Sequence, residues 1–369
     1  METVQLAGQT EAALEQWARE RGASPGAARG LARALLAEFA QRSIVQRPSA
    51  ALVAAAKSVF ASALPHADAI VDPDGTVRFA VRLHDGVVIE TVAIHQPQSD
   101  TRKSERWTIC VSSQAGCARG CVFCETGRLG LVRNLSAAEI VSQYALAARH
   151  LGQRPRNVVF MGMGEPLDNL EEVLRAIEVL REPSGFAVPE RRITVSTVGI
   201  VPRLDELYAR TRAQVAVSLH AIEPRARLAL LPVARKWPLE ELRRAIARAP
   251  RTVLLQWTLI AGVNDSDSDA DGLVQFAQGL DVRVNLIPLN PGPAADQRAP
   301  PLDRCRAFQK RLAGAGLRTL LRMPHGQGIG GACGQLAGAR RSGRSGDTIR
   351  NPACQQSPHN ELRMVSPKL

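Results

Sequence analysis

The stretch that decides the fold runs Trp107-Thr108-Ile109-Cys110-Val111-Ser112-Ser113-Gln114-Ala115-Gly116-Cys117-Ala118-Arg119-Gly120-Cys121-Val122-Phe123-Cys124. The run Trp107–Ser112 reads as a strand, and a loop with two glycines and three spaced cysteines follows it at once. Working outward, strand-like runs recur at Asn157–Met161, Ile193–Val198, Val215–His220, Leu254–Ile260, Val282–Pro288 and Leu317–Met323. Amphipathic helical stretches such as Ser136–His150, Leu170–Arg181, Leu239–Arg248 and Asp303–Ala315 lie between them. Six or so β–α units in series predict a parallel sheet in an α/β fold. A partial (β/α)6-type barrel over residues 107–338 is the expected closure.

Upstream, the first seventy residues read as helical. Ala27, Leu31, Leu35 and Phe39 recur at helix spacing, Ser24-Pro25-Gly26 breaks this helix from the one before it, and Ala51–Ala63 is alanine-rich. A hairpin follows: Val77, Phe79, Val81 and Leu83 alternate with other residues, His84-Asp85-Gly86 supplies the turn, and Val87–Ile94 returns. After Gly338 the chain is rich in Arg, Ser, Gly and Pro and reads as a flexible basic tail. The expected organisation is therefore a helical accessory domain at 1–72, a small β-hairpin and linker at 73–106, the barrel at 107–338, and the tail at 339–369.

The chain has 369 residues, 45% hydrophobic and 22% charged, which excludes wholesale disorder or a small disulfide scaffold. No stretch reaches the roughly 20 apolar residues that a membrane span needs. Met1-Glu2-Thr3-Val4 lacks the basic and apolar regions of a signal peptide, so a cytoplasmic monomer without membrane contact is expected. The net charge is +12, carried almost wholly by arginine. Such a surplus favours a polyanionic partner, although a compositional bias toward arginine would give the same count. Aromatic residues are only 4%, which argues against a long base-stacking platform.

Seven cysteines, four of them within residues 110–124, suggest metal or redox chemistry rather than a disulfide frame. Three thiolates spaced as Cys117, Cys121 and Cys124 can hold three irons of a 4Fe–4S cluster and leave the fourth open. Zinc is the competing reading, but zinc sites use paired halves and a fourth protein ligand. Downstream stand Gly162-Met163-Gly164-Glu165-Pro166, Val195-Ser196-Thr197, Ser218-Leu219-His220-Ala221, Leu289-Asn290-Pro291 and Ala332-Cys333-Gly334. With the cysteine triplet, these strings over about residues 75–340 resemble the RlmN/Cfr family of radical S-adenosylmethionine (SAM) RNA adenine methyltransferases.

The resemblance implies a radical SAM barrel, a 4Fe–4S cluster and SAM as cofactors, and ribosomal or transfer RNA as substrate. It implies that Cys117, Cys121 and Cys124 hold the cluster. Gly164, Glu165, Ser196, Ser218, Leu219, His220 and Asn290 match SAM-contacting positions. Cys333 matches the cysteine that becomes S-methylated, Cys110 its transient disulfide partner, and Glu90 the proton acceptor. A methylene radical on Cys333 would add to C-2, rather than C-8, of adenine, and a flavodoxin- or ferredoxin-type donor would supply electrons. Taken alone, Cys110 reads as a buried inert thiol and His220 as an ordinary strand-end histidine. Glu90 shares a face with Val88, Val92 and Ile94, and an acid in an apolar row suits a general base. Cys305 and Cys354 lie outside the pattern.

Departures from the family are local. His325–Gly331 lacks the usual Arg-Gly and Asp-Ile pairs and has gained glycine, which predicts a more weakly anchored Cys333 loop. Ala93-Ile94-His95-Gln96 stands where an aromatic and a proline are expected, and Leu289 where an aromatic is usual. Two other function classes fit parts of the sequence: a radical SAM enzyme that modifies a peptide or partner enzyme, and a non-enzymatic iron–sulfur RNA-binding sensor.

Overall fold

The computed structural model describes residues 4–44, 48–98, 104–292 and 296–337. The expected basic tail, with Cys354, lies outside the described residues. In the N-terminal region β1 (Val4–Gln5) precedes α1 (Glu11–Arg19), α2 (Pro25–Phe39) and α3 (Ala50–Lys57). Thr10, Ser24 and Ser49 cap the three helices, each hydroxyl accepting a backbone N–H three residues on. Then come β2 (Phe60–Ala61), β3 (His66–Val71), β4 (Val77–Arg82) and β5 (Val88–Gln96).

The helical reading of the first seventy residues stops short of this. The alanine-rich helix ends at Lys57 because Phe60 and Ala61 pair with Val4 and Gln5. Residues 66–71 are a strand, held antiparallel to β4 from His66↔Arg82 to Val71↔Val77. Five of its six residues are exposed, so it carries no alternation that a reader of the sequence could see. The hairpin is as expected, with a clean inward alternation of Val77, Phe79 and Val81.

The series continues with β6 (Arg106–Cys110), β7 (Gln114–Cys117), α4 (Glu125–Leu129), β8 (Gly130–Asn134), α5 (Ala137–Leu151), β9 (Asn157–Phe160), α6 (Leu170–Arg181), β10 (Ile193–Thr197), α7 (Val201–Arg210) and β11 (Gln214–Ser218). It ends with α8 (Pro224–Leu230), α9 (Leu239–Ala247), β12 (Val253–Leu259), α10 (Asp267–Ala277), β13 (Val282–Pro288), α11 (Leu302–Gly314) and β14 (Thr319–Leu321). One ten-stranded sheet has the order β14-β13-β12-β11-β10-β9-β6-β5-β4-β3. From β6 to β14 every pair is parallel, and β5 joins this run antiparallel to β6, with Val92 opposite Cys110. The sheet is largely parallel and open-edged, as a partial β/α barrel requires.

The core lies between the sheet and its helices. Central strands are buried on both faces, as in β12, where only Leu254 is partly exposed. Ser136 and Glu139 form a capping box at the start of α5, and Gly152 ends that helix in a left-handed conformation. The N-terminal helices pack against the outer helices of the barrel. Glu182 accepts from the Glu11 backbone at 3.1 Å, and Phe39 meets Phe186 edge-on with ring centroids 5.8 Å apart. Among the described residues no helix is long and apolar enough to cross a membrane.

Candidate active site

Strand ends at one rim of the sheet build the site. Cys117 is the last residue of β7, whose partner β8 folds the cysteine loop back in a two-stranded ribbon. Cys124 stands at the N-terminus of α4, and its N–H donates to the Cys121 carbonyl at 3.1 Å. The loop is tied sideways to α8, where Leu230 O accepts from Val122 N at 3.2 Å. Arg119 donates to Asp168 through both Nε, at 2.6 Å, and Nη2.

One cavity, open at its mouth, is lined by Cys117, Cys121 and Cys124 together with Gly164, Glu165, Ser196, Ser218, His220, Asn290 and Cys333. Leu219, Cys110 and Glu90 do not line it. Leu219 has a fully buried side chain, and its backbone N–H donates to Gln256 O at 2.9 Å.

Gly164 is in a positive-φ conformation (+103°), and a Cβ there would sit 2.6 Å from the Gln114 side chain. The next residue, Glu165, is 2% exposed. Its two carboxylate oxygens accept from Leu167 N and Val198 N, both at 2.9 Å. Burial pushes its pKa up to about 7, against the pull of those two N–H groups. Across the cavity Ser196 Oγ donates to Gln256 Oε1 at 2.9 Å.

His220 sits at φ +59°, a strained value for a residue with a side chain. Asn264, fully buried, fixes it: Asn264 Nδ2 donates to His220 O at 2.6 Å and to Thr258 O at 2.7 Å. His220 Nδ1 accepts from Thr258 N at 2.9 Å, which places the ring proton on Nε2. Burial, with the Arg227 charge, drives its pKa down to about 3, so the imidazole is neutral. Its ring meets Phe123 edge-on at 4.9 Å, joining the cysteine loop to the end of β11.

Cys333 is exposed and lies on the loop after β14. It also lines a second, smaller cavity with Cys110, Met161, Asn290, Arg322 and His325. Cys110 is buried there, and burial, reinforced by the Cys333 charge, pushes its thiol up to about 12 despite the Arg322 guanidinium. The weak anchoring expected from the glycine-rich segment is made good by other contacts. Asp74, in the β3–β4 turn, accepts from Gly326 N at 3.0 Å and faces His325 Nδ1 at 3.2 Å. Asn290 Nδ2 donates to Cys333 O at 2.9 Å, and Gln327 Nε2 donates to Asn290 Oδ1 at 2.8 Å. On the far side Glu125 N donates to Gly334 O at 2.8 Å, and Thr126 Oγ1 to Leu336 O at 2.5 Å.

Glu90 is buried, but its surroundings are not the apolar row that the sequence suggests. Arg78, on the neighbouring strand β4, pairs with its Oε1 at 2.7 Å, and Ala337 N donates to its Oε2 at 2.7 Å. Gln256, Asn264, Asp74 and Arg227 are the residues that sequence reasoning missed. Only Gln256 carried a signal, as a polar residue inside the apolar run Leu254–Ile260.

Burial pushes the Cys117 thiol up to about 12 and raises those of Cys121 and Cys124. Among the described residues no three His, Cys, Asp or Glu side chains converge on a single ion. A group bound by one thiolate per metal fits three sulfurs spread along one cavity wall. A second observation favours an anionic group here. Arg227, 2% exposed, leaves Nε and Nη1 without hydrogen-bond partners, and its Nη2 meets the carbonyl of Val198, a residue of the cavity wall. The donor set and this orphaned cation fit an iron–sulfur cluster.

Comparison with known proteins gives the same reading. Residues 111–277 match the Radical SAM superfamily. A probable RNA methyltransferase of Sorangium cellulosum is 48% identical over 275 residues, covering 73% of this chain and 67% of that protein. The dual-specificity RNA methyltransferase RlmN of Syntrophobacter fumaroxidans is 48% identical over 269 residues, covering 71% of this chain and 77% of that one. The crystal structure of a radical SAM methyltransferase from Sphaerobacter thermophilus, 38% identical, superposes with a TM-score of 0.81 over 90% of this chain and 99% of the other. Motif, fold and overall likeness agree, and the chain belongs to the RlmN/Cfr family of radical SAM RNA methyltransferases.

Proposed function

We infer that the protein methylates an adenine carbon of ribosomal or transfer RNA, C-2 rather than C-8, by way of a methyl group carried on Cys333. The observation that carries this is the position of Cys333, which lines both the cavity walled by the three cysteines and the cavity that holds Cys110. A sulfur so placed faces a cofactor site on one side and a resolving thiol on the other.

In this reading Cys117, Cys121 and Cys124 hold a 4Fe–4S cluster. Gly164, Glu165, Ser196, Ser218, Leu219, His220 and Asn290 bind SAM. When bound, these cofactors supply one-electron cleavage of the sulfonium and a 5′-deoxyadenosyl radical, which an electron-poor ring carbon needs because it cannot attack a sulfonium methyl. The chain does the rest. The Glu165 carboxylate, oriented by two N–H donors, receives the ammonium of SAM. Neutral His220 offers Nε2–H as a donor. Leu219, whose side chain is in the core and whose N–H donates to Gln256 O, holds Ser218 and His220 at the cavity wall. Asn290 positions the Cys333 carbonyl.

Cys333 takes up the methyl group, gives one hydrogen atom from it to the 5′-deoxyadenosyl radical, and bonds the remaining methylene to the adenine carbon. Glu90 accepts the ring proton once the Ala337 N–H releases its Oε2, and the unpaired electron left on the adduct would pass to the oxidised iron–sulfur group. The Cys110 thiolate then attacks the Cys333 sulfur. The Cys333–carbon bond breaks, its electron pair stays on the methylene carbon, which takes up a proton as methyladenine leaves, and the new disulfide awaits external reduction. Arg322, which favours the Cys110 thiolate, is the cation placed to assist. A flavodoxin- or ferredoxin-type donor supplies the electrons. The arginine surplus and the accessory region at 1–72 grip the phosphates of the RNA.

The test is anaerobic reconstitution with iron, sulfide and methyl-deuterated SAM, followed by total RNA and nucleoside mass spectrometry. Methyladenosine retaining two deuteriums is expected, and three would overturn the methylene route. Cys333→Ala should abolish the product while SAM cleavage continues. SAM cleavage by the wild type with RNA left unmodified would point instead to peptide or partner-enzyme chemistry.

A further inference from the structure

Arg227 has no counterpart in the scheme above. It lies in α8 at 2% exposure, and no carboxylate pairs with it among the described residues. Its Nη2 reaches only the Val198 carbonyl, at 3.4 Å, while Nε and Nη1 have no partner. A buried guanidinium in this state is strongly unfavourable unless an anion joins it.

The Nη2 of Arg227 places the head group at Val198, which lines the main cavity together with Cys121 and His220. His220 is neutral and cannot serve as the anion. Cys121 can, once it loses its proton to a metal. The two are held together by backbone, because Val122 N donates to the carbonyl of Leu230, three residues after Arg227 on the same helix. The surroundings are dry. Cys121, Val122 and Phe123 pack on a cluster formed by Ala221, Leu230, Leu231, Val233, Ile260 and Leu289. In such a medium charge interactions are little screened.

The geometry points to Arg227 as the built-in counter-charge of the metal-bound state, its guanidinium balancing the Cys121 thiolate and the negative charge of the cluster that this thiolate holds. Arg227 is a positioning residue, not a catalytic one. Reduction adds one electron beside a fixed cation, so Arg227 favours the reduced cluster and eases the electron transfer that SAM cleavage needs. In the metal-free protein the same cation is a liability.

This inference rests on the cluster reading, and the experiment separates the two. Wild type, Arg227→Met and Arg227→Lys are purified metal-free and their melting temperatures measured. Each is then reconstituted without SAM or RNA, and the cluster is titrated electrochemically with detection by electron paramagnetic resonance. Arg227→Met, which removes the unpaired charge but keeps the bulk, should melt no lower than wild type when metal-free. Its cluster should be at least tenfold harder to reduce, a shift of at least about 59 mV to more negative potential. Arg227→Lys should stay nearer the wild-type potential. An unchanged potential in Arg227→Met, an equal shift in both variants, or failure of metal-free Arg227→Met to fold would each overturn the proposal and leave Arg227 as packing. A wild type that takes up no iron would instead sink the cluster reading.

Discussion

Glu165 offers the sharpest quantitative test of the site. Its pKa is raised from 4.5 to about 7 because burial penalises the carboxylate. Between those values the folded protein holds more protons than the unfolded chain. Stability therefore falls as pH rises: the contribution is fully present below about 4.5 and is lost as pH passes through 7. At about 1.4 kcal/mol per unit, the shift corresponds to about 3 kcal/mol, most of which develops between pH 5 and pH 8. The assay is urea unfolding of metal-free wild type and Glu165→Gln at both pH values. An amide cannot accept from both Leu167 N and Val198 N, so the variant carries a constant cost, which comparison of the two pH values removes. Wild type should lose about 2–3 kcal/mol relative to the variant over this interval. Parallel curves would refute the claim that an uncompensated carboxylate faces the cavity. A bound ammonium should reverse the trend, so SAM affinity should rise through neutral pH in the wild type and stay flat in Glu165→Gln.

Other consequences are more local. Asn264→Ala removes the acceptor for Ile260 N and the donors to His220 O and Thr258 O, all buried, and should cost about 2–4 kcal/mol, seen as a lower melting temperature. Asp74 keeps its carboxyl below the usual range, since the Thr76 and Gly326 N–H groups outweigh its partial burial. Asp74→Ala should therefore raise hydrogen exchange at the Gly326 amide about tenfold while the core amides of β12 stay protected.

The barrel was legible because its central strands are buried on both faces, and such strands write themselves as mostly apolar runs: Val253–Leu259 is read to within one residue at each end. The edge strand His66–Val71 was not legible. It is fixed by its pairing with β4 rather than by its own pattern. The site divides in the same way. Cysteines at a fixed spacing, and short strings at strand ends, announce the cavity wall. Residues that act on the backbone of others announce nothing. Asn264, in Gly262-Val263-Asn264-Asp265, reads as a turn, yet it holds His220 in its left-handed conformation. Arg227 is one of three arginines within Arg225–Arg235, and only the fold shows that its head group is buried. Glu90 was placed correctly on its strand, but the partner that neutralises it comes from across the hairpin, twelve positions away.

The short helix α4 has a consequence that reaches beyond its five residues. Its first turn begins at Cys124 and grips the returning chain, Glu125 at Gly334 and Thr126 at Leu336. Gly334, at φ +85°, brings that chain so near that a side chain there would press within 3.1 Å of the Phe123 carbonyl. The segment of the spaced cysteines and the segment bearing Cys333 are thus two sides of one clasp, seated on adjacent residues. A displacement of either is passed to the other, so on the proposed reading the hold on the cofactor and the presentation of the Cys333 sulfur are set by the same few backbone bonds.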